Sequence, residues 1–285
     1  MALLVPVSLF TVMLALGVGL PLDAFYQWRR HWRLLLRVEL ATCLLVPLVG
    51  WLLLCTPPAQ LLSPEARIAI ALMAACPSAP LILRKAGKEG GDASLAGLLQ
   101  VTAALLAIVT LPLLAKLAEP LFGVEGWDVL PRQVALQVGQ VQLLPLTLGL
   151  VLRRCCPAQL ARLRLPLDRL ANGLLVLLVV AILVRTAPLL LAFALANGLA
   201  LLFILLLVVI SLGLGFGLAG STGDRGVTAA LVTSMRNPGL ALLLANTYAG
   251  PVPGLKLGIL LYVLITVLVS LPVLKRSQRL GWRTS

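Results

Sequence analysis

Nine apolar runs divide this sequence, at approximately residues 2–20, 38–55, 66–83, 94–116, 133–152, 168–187, 190–217, 227–248 and 254–274. A hydrocarbon core about 30 Å thick takes about 20 residues of helix. The pattern therefore predicts an all-α polytopic membrane protein with nine transmembrane helices and a lipid bilayer as its main partner. With 60% of residues hydrophobic and 12% charged, a soluble fold would leave most of its apolar surface in water. The net charge of +13 would suggest nucleic acid in a soluble chain. Here the basic residues fall in short segments between apolar runs, where lipid headgroups are the partner and nucleic acid is not.

Counting basic residues on alternate sides sets the orientation. One side holds 17 of the 23, from Arg29, Arg30, Arg33 and Arg37 through Arg153 and Arg154 to Arg283, and the other holds five, Arg67, Lys116, Arg132, Arg185 and Lys256. The imbalance predicts the N-terminus outside and the C-terminus in the cytoplasm. Because run 2–20 has no basic residue before it and four arginines after it, it reads as a retained span. The five cysteines show no metal or disulfide spacing.

Two runs are interrupted. The third contains Cys76-Pro-Ser-Ala-Pro80 and the eighth Arg236-Asn-Pro-Gly239, where proline removes backbone donors and small residues favour unwinding. The helix breaks are expected at Cys76, Pro77, Pro80, Pro238 and Gly239. An offset of five spans makes the two interrupted helices antiparallel, as in an inverted repeat of helices 1–4 on 6–9 with the fifth unmatched. Unwound backbone at membrane depth must be satisfied by protein or by a wet cavity. Single prolines such as Pro47 and Pro145 read as packing devices or kinks.

Arg236 lies about ten residues into its span, where an arginine costs about 2.5–3.5 kcal/mol on insertion scales. Glu39 and Asp224 are expected near cytoplasmic ends, so no carboxylate is expected at mid-span. Two readings stay open. The guanidinium pairs with a transported anion, or it latches helices together through carbonyls freed at the breaks and Gln100, Gln137, Gln140, Asn172 or Asn197. Candidate substrate-binding residues are Arg236, Asn237, Ser234, Ser78 and Gln100. His31 reads as interfacial, Cys76 lacks a second ligand or base for metal or nucleophilic chemistry, and Gly213-Leu-Gly-Phe-Gly217 reads as close helix packing rather than a phosphate loop. With no constellation of catalytic side chains at one depth, the chain is not read as an enzyme.

Residues Cys76–Leu114, CPSAPLILRKAGKEGGDASLAGLLQVTAALLAIVTLPLL, resemble the Cys-Pro-Gly-Gly broken helix, Lys-Gly-Asp turn and following Thr-Pro-Leu helix of the bile acid:sodium symporter superfamily. SMRNPGLALLLA, Ser234–Ala245, resembles that family's second broken helix, Gly-Met-Gln-Asn-Ser-Gly-Leu-Ala. The resemblance implies a bacterial inner-membrane carrier of a small organic anion that works by alternating access. A panel-like part (approximately 2–20 and 133–187) would rock against a core-like part (approximately 38–116 and 190–274) holding two crossed helices. It also marks departures: the family's sodium ligands align with Ile82, Leu83, Ala96, Gln100, Val232 and Arg236. Hence no cofactor and no bound sodium are expected. The alternatives are a non-transporting sensor or assembly module with the same fold, or a sodium-coupled symporter using backbone ligands.

Overall fold

A computed structural model describes residues 4–20, 24–79, 91–122, 131–220, 223–248, 252 and 254–281. Pro80, Ile82 and Leu83 lie outside the described residues. The described residues are helical throughout, apart from short connections and one isolated β-bridge. Among them six helices are long and apolar enough to cross a membrane: His31–Leu54, Ser94–Leu114, Pro131–Cys155, Arg162–Ala196, Gly198–Ala219 and Leu255–Pro272. Each of the other three apolar runs also falls on helix, as Leu4–Gly19, Pro64–Ala75 up to the first break, and the pair Asp224–Ser234 and Pro238–Tyr248. Leucine and valine side chains such as Leu52, Val109, Val184, Leu195 and Leu268 cover the outer surface, which suits a hydrocarbon solvent.

In chain order the helices are α1 (Leu4–Gly19), α2 (Ala24–Leu40), α3 (Val46–Leu54), α4 (Pro64–Ala75), α5 (Ala93–Phe122), α6 (Pro131–Val138), α7 (Leu144–Cys155), α8 (Pro157–Ala196), α9 (Gly198–Ala219), α10 (Asp224–Ser234), α11 (Pro238–Tyr248) and α12 (Leu255–Gly281). Local chemistry accounts for several ends. Ser63 accepts from the Ala66 N–H and Pro64 begins α4, so a hydroxyl cap and a ring-fixed φ start that helix together. Asp92 Oδ1 accepts from the N–H groups of Ser94 (2.9 Å) and Leu95 (3.0 Å) and starts α5. Arg153 donates to the Val18 carbonyl at 2.7 Å, a cation at the C-terminal end of α1.

Two helices that carry an internal proline contain a wide π turn. Ala41–Leu45 joins α2 to α3 just before Pro47, and Gly139–Leu143 joins α6 to α7 just before Pro145. A proline ring clashes with the carbonyl one turn back and offers no N–H, and the wider turn relieves the clash. Thus α2 and α3 form one rod from Ala24 to Leu54, and the second span begins earlier than residue 38. This corrects the expected place of Glu39. It lies well inside the rod and is 4% exposed, not at a cytoplasmic end. The run of apolar residues and the run of helix differ because α2 enters with one charged face and one apolar face.

Small residues set the closest packing. A Cβ on Gly17 of α1 would collide with the Leu146 carbonyl oxygen and come within 3.0 Å of Gly149 Cα in α7. On Gly215 of α9 it would lie 2.6 Å from Ala230 N in α10, so within the glycine run of α9 Gly215 serves close helix approach, while Gly213 and Gly217 have open space at their Cβ positions.

Candidate functional site at the helix crossing

The two broken segments meet. Helix α4 ends at Ala75 and the chain turns extended at Cys76, while α10 ends at Ser234 and Met235 is extended before α11 begins at Pro238. Between these ends Ser78 and Arg236 form an antiparallel bridge, in which Ala79 N donates to Met235 O (2.8 Å) and Asn237 N donates to Pro77 O (2.9 Å). Pro77 and Pro238 leave the helices without continuing donors, and the two breaks satisfy one another.

Arg236 is 3% exposed and four hydrogen bonds run from its five guanidinium N–H donors to backbone carbonyls. Nη2 donates to Thr42 O at 2.7 Å and to Ala74 O, Nε donates to Met73 O at 3.3 Å, and Nη1 donates to Thr233 O at 3.4 Å. Each acceptor is a carbonyl that its own helix cannot pair. Met73 O would need an N–H from Pro77, and Ala74 O and Thr233 O belong to last turns cut short by the breaks. In the wide turn Val46 N–H bonds Ala41 O, and the next residue, Pro47, has no hydrogen for Thr42 O. The arginine caps two half-helices at their C-terminal ends, where the aligned peptide dipoles present negative partial charge, and ties them to the α2–α3 rod. Among the described residues it makes no ion pair with a carboxylate.

The other expected site residues separate into two groups. Ser78 Oγ and Gln100 bond each other, the Gln100 amide donating to Ser78 O and its oxygen accepting from Ser78 Oγ, both at 3.1 Å. Ser234 Oγ donates to Ala230 O in its own helix. Ser78 and Gln100 thus tie the first break to α5, while Ser234 bonds only within α10. Arg236 and Asn237 also line a cavity of about 140 Å³ with Pro238 and Gly239. Its remaining wall is apolar apart from Thr266, from Leu9 and Val12 of α1, Leu175 and Val179 of α8, Met73, Ala79 and Met235 at the breaks, and Val263, Thr266 and Val267 of α12. Asn237 Oδ1 caps α11 by accepting from Leu240 N at 3.1 Å. Its Nδ2 is buried and has no partner among the described residues. Asn237 thus presents an unused donor beside the N-terminus of a half-helix.

Polar residues proposed as latches for Arg236 bond elsewhere: Gln137 to Thr247 Oγ1, Asn172 to Asp168 O and Asn197 to Phe193 O. Two functional neighbours were not anticipated. Thr42 supplies a carbonyl to Arg236, and the signal for it is Pro47, five residues on. Glu39, one turn before Cys43, accepts from Thr102 Oγ1 at 2.6 Å and from Cys43 Sγ at 3.7 Å. Among the described residues no group of three or more metal-ligating side chains converges.

The sequence matches the family described as Sodium Bile acid symporter family over residues 6–193, about two thirds of the chain, a stretch that includes the first break and stops short of the second. A comparison with curated proteins finds no match. Crossing breaks, an all-helical membrane architecture and the extent of the match agree, and the chain belongs to the sodium bile acid symporter family.

Proposed function

We propose that this protein is a secondary transporter that moves a small organic anion by alternating access, in the inner membrane of a bacterium, with its N-terminus outside and its C-terminus in the cytoplasm. Nine spans in two inverted repeats, helices 1–4 and 6–9, fit the antiparallel bridge between the breaks. Under this reading α1 and the α6–α8 region form the panel, and the remaining helices form the core. The cavity fits that division, since its walls come from α1 and α8 on one side and from the crossing and α12 on the other.

The observation that carries the reading is a permanent cation buried at the helix crossing and lining a cavity together with Asn237, whose side-chain Nδ2 has no partner among the described residues. A volume of about 140 Å³ lies well below the ~300–1,000 Å³ of ordinary ligand pockets, and apolar walls favour an apolar body with one anionic group. The anionic group would accept from Asn237 Nδ2 and face the N-terminus of α11, while Arg236 contributes mainly field, four of its five donors being bonded to carbonyls. No bound sodium is expected, because a guanidinium already sits at the two half-helix C-termini where a cation would otherwise be favoured.

Uptake of labelled carboxylates and sulfonates into proteoliposomes tests this. Arg236→Ala should abolish uptake and the exposed Arg185→Ala should not. Binding of an anion without flux by the wild-type protein would favour a sensor or assembly module instead.

A further inference from the structure

Glu39 is a buried carboxylate that the anion-carrier reading leaves unused. It is 4% exposed, inside the Ala24–Leu54 rod, with Thr102 of α5 and Cys43 as its only hydrogen-bonding neighbours among the described residues. We propose that Glu39 is the protein's proton-binding site, and that taking up a proton there raises the affinity of the neighbouring cavity for an anion.

The hydrogen inventory supports reversible protonation. Thr102 Oγ1 has one hydrogen and three acceptors within reach, Glu39 Oε1 at 2.6 Å, Leu98 O at 2.9 Å and Leu99 O at 3.1 Å. With Glu39 ionised, that hydrogen points to the carboxylate, and the thiol of Cys43 is a weak second donor. With Glu39 neutral, its O–H donates to Thr102 Oγ1, whose hydrogen turns to Leu98 O. No polar hydrogen is stranded in either state, so the site changes charge by rotating one hydroxyl, without moving a helix. A buried carboxylate lacking a cation at hydrogen-bond distance is costly in a membrane, and the neutral state removes that cost.

The charged and titratable groups facing Glu39 are few. Cys43 lies on its own rod, and Arg236 reaches that rod from the crossing through Thr42 O. Of the helices packed on α2, α5 supplies Thr102 and carries Lys116 and Glu119 near its far end. Helix α9 has no ionisable side chain, and α10 has only Asp224 and Arg225, in its first turn. The acid and the arginine are linked through one element, because Thr42, which accepts from Arg236, is three residues from Glu39. A proton on Glu39 removes a negative charge from the element that Arg236 is bonded to and leaves more of the arginine's field available to an anion in the cavity, a positive coupling that must be reciprocal. An open cleft of about 790 Å³ lies toward the start of the same rod, lined in part by His31, Arg33, Arg37 and Asp224, and Glu39 is not part of its lining.

The coupling half of this proposal rests on the anion-carrier reading, so the test has two arms. In the first, infrared difference spectra of the reconstituted protein are recorded on acidification. A protonated-carboxyl band should appear in the wild type and in Glu65→Gln, vanish in Glu39→Gln and shift in Glu39→Asp. A spectrum in which Glu39→Gln and Glu39→Asp change nothing overturns the proposal. In the second, sodium-free proteoliposomes are given labelled benzenesulfonate, which stays ionised at every pH used. An inward proton gradient should accelerate wild-type uptake about tenfold, within the usual range of coupling energies. Glu39→Gln should lose the acceleration and keep exchange across equal pH. Acceleration that survives in Glu39→Gln overturns the coupling. If the wild type carries no benzenesulfonate under either condition, that counts against the anion-carrier reading, and the first arm decides the proton site by itself.

Discussion

Replacing Arg236 with alanine strips donors from four carbonyls at once, those of Thr42, Met73, Ala74 and Thr233. A hydrogen bond to a charged group contributes about 1.5–3 kcal/mol. The four do not add in full: the bonds to Met73 and Thr233 are long, at 3.3 and 3.4 Å, and removing a mid-membrane cation recovers part of its own burial cost. Deleting one side of a buried charged arrangement typically costs about 3–5 kcal/mol, and that is the loss expected here. Arg236→Lys should fall between, because a compact ammonium keeps the charge but cannot fork to carbonyls on three separate elements. Arg185→Ala, on the exposed face of α8, should stay within about 0.5 kcal/mol. Thermal and denaturant unfolding of the purified protein in one detergent would rank the four proteins. If Arg236→Ala matches the wild type while Arg236→Lys is no worse, the guanidinium does not hold the crossing and the capping argument is wrong.

Asn237→Asp keeps the oxygen that caps α11 but loses the unpaired donor and adds a negative charge beside the cavity. Anion uptake should fall at least about tenfold, the value of roughly 1.4 kcal/mol in binding, with little change in unfolding temperature. Gly215→Ala forces a methyl against the α10 backbone and should destabilise by about 1–3 kcal/mol in denaturant unfolding, whereas Gly213→Ala, whose Cβ position is open, should be neutral. In a double-mutant cycle, Ser78→Ala and Gln100→Leu should show a coupling of about 0.5–3 kcal/mol, as expected of side chains in direct contact. On intact cells a membrane-impermeant maleimide should label exposed Cys55 and leave exposed Cys155 and Cys156 untouched, and the reverse pattern would invert the proposed orientation.

Length and proline content made much of this architecture readable. Each apolar run falls on helix, and the interruptions at Pro77 and Pro238 were visible because proline cannot continue a ladder of donors. What escaped was the pairing between elements. Pro47 looked like any packing proline. Only with the wide turn in place is it clear that Val46 serves Ala41 and that Thr42 O is left for Arg236. Glu39 was misplaced because hydropathy marks where apolar composition begins, while the helix itself starts in the amphipathic stretch before it. Ser78 and Gln100 are 22 residues apart, and nothing in either residue's own neighbourhood shows that they bond one another. The contrast between the polar residues that hold the crossing and Asn237, which retains an unused donor, depends on counting hydrogens in three dimensions.

The central claim is that a guanidinium occupies the place at the crossing where a metal ion would otherwise be favoured. Its most direct measurement is the unfolding temperature of the purified wild-type protein and of Arg236→Gln, titrated with sodium against potassium at constant ionic strength. The wild type should respond identically to the two ions. Saturable stabilisation of the wild type by sodium alone would mean that an ion is bound despite the arginine and would contradict the account.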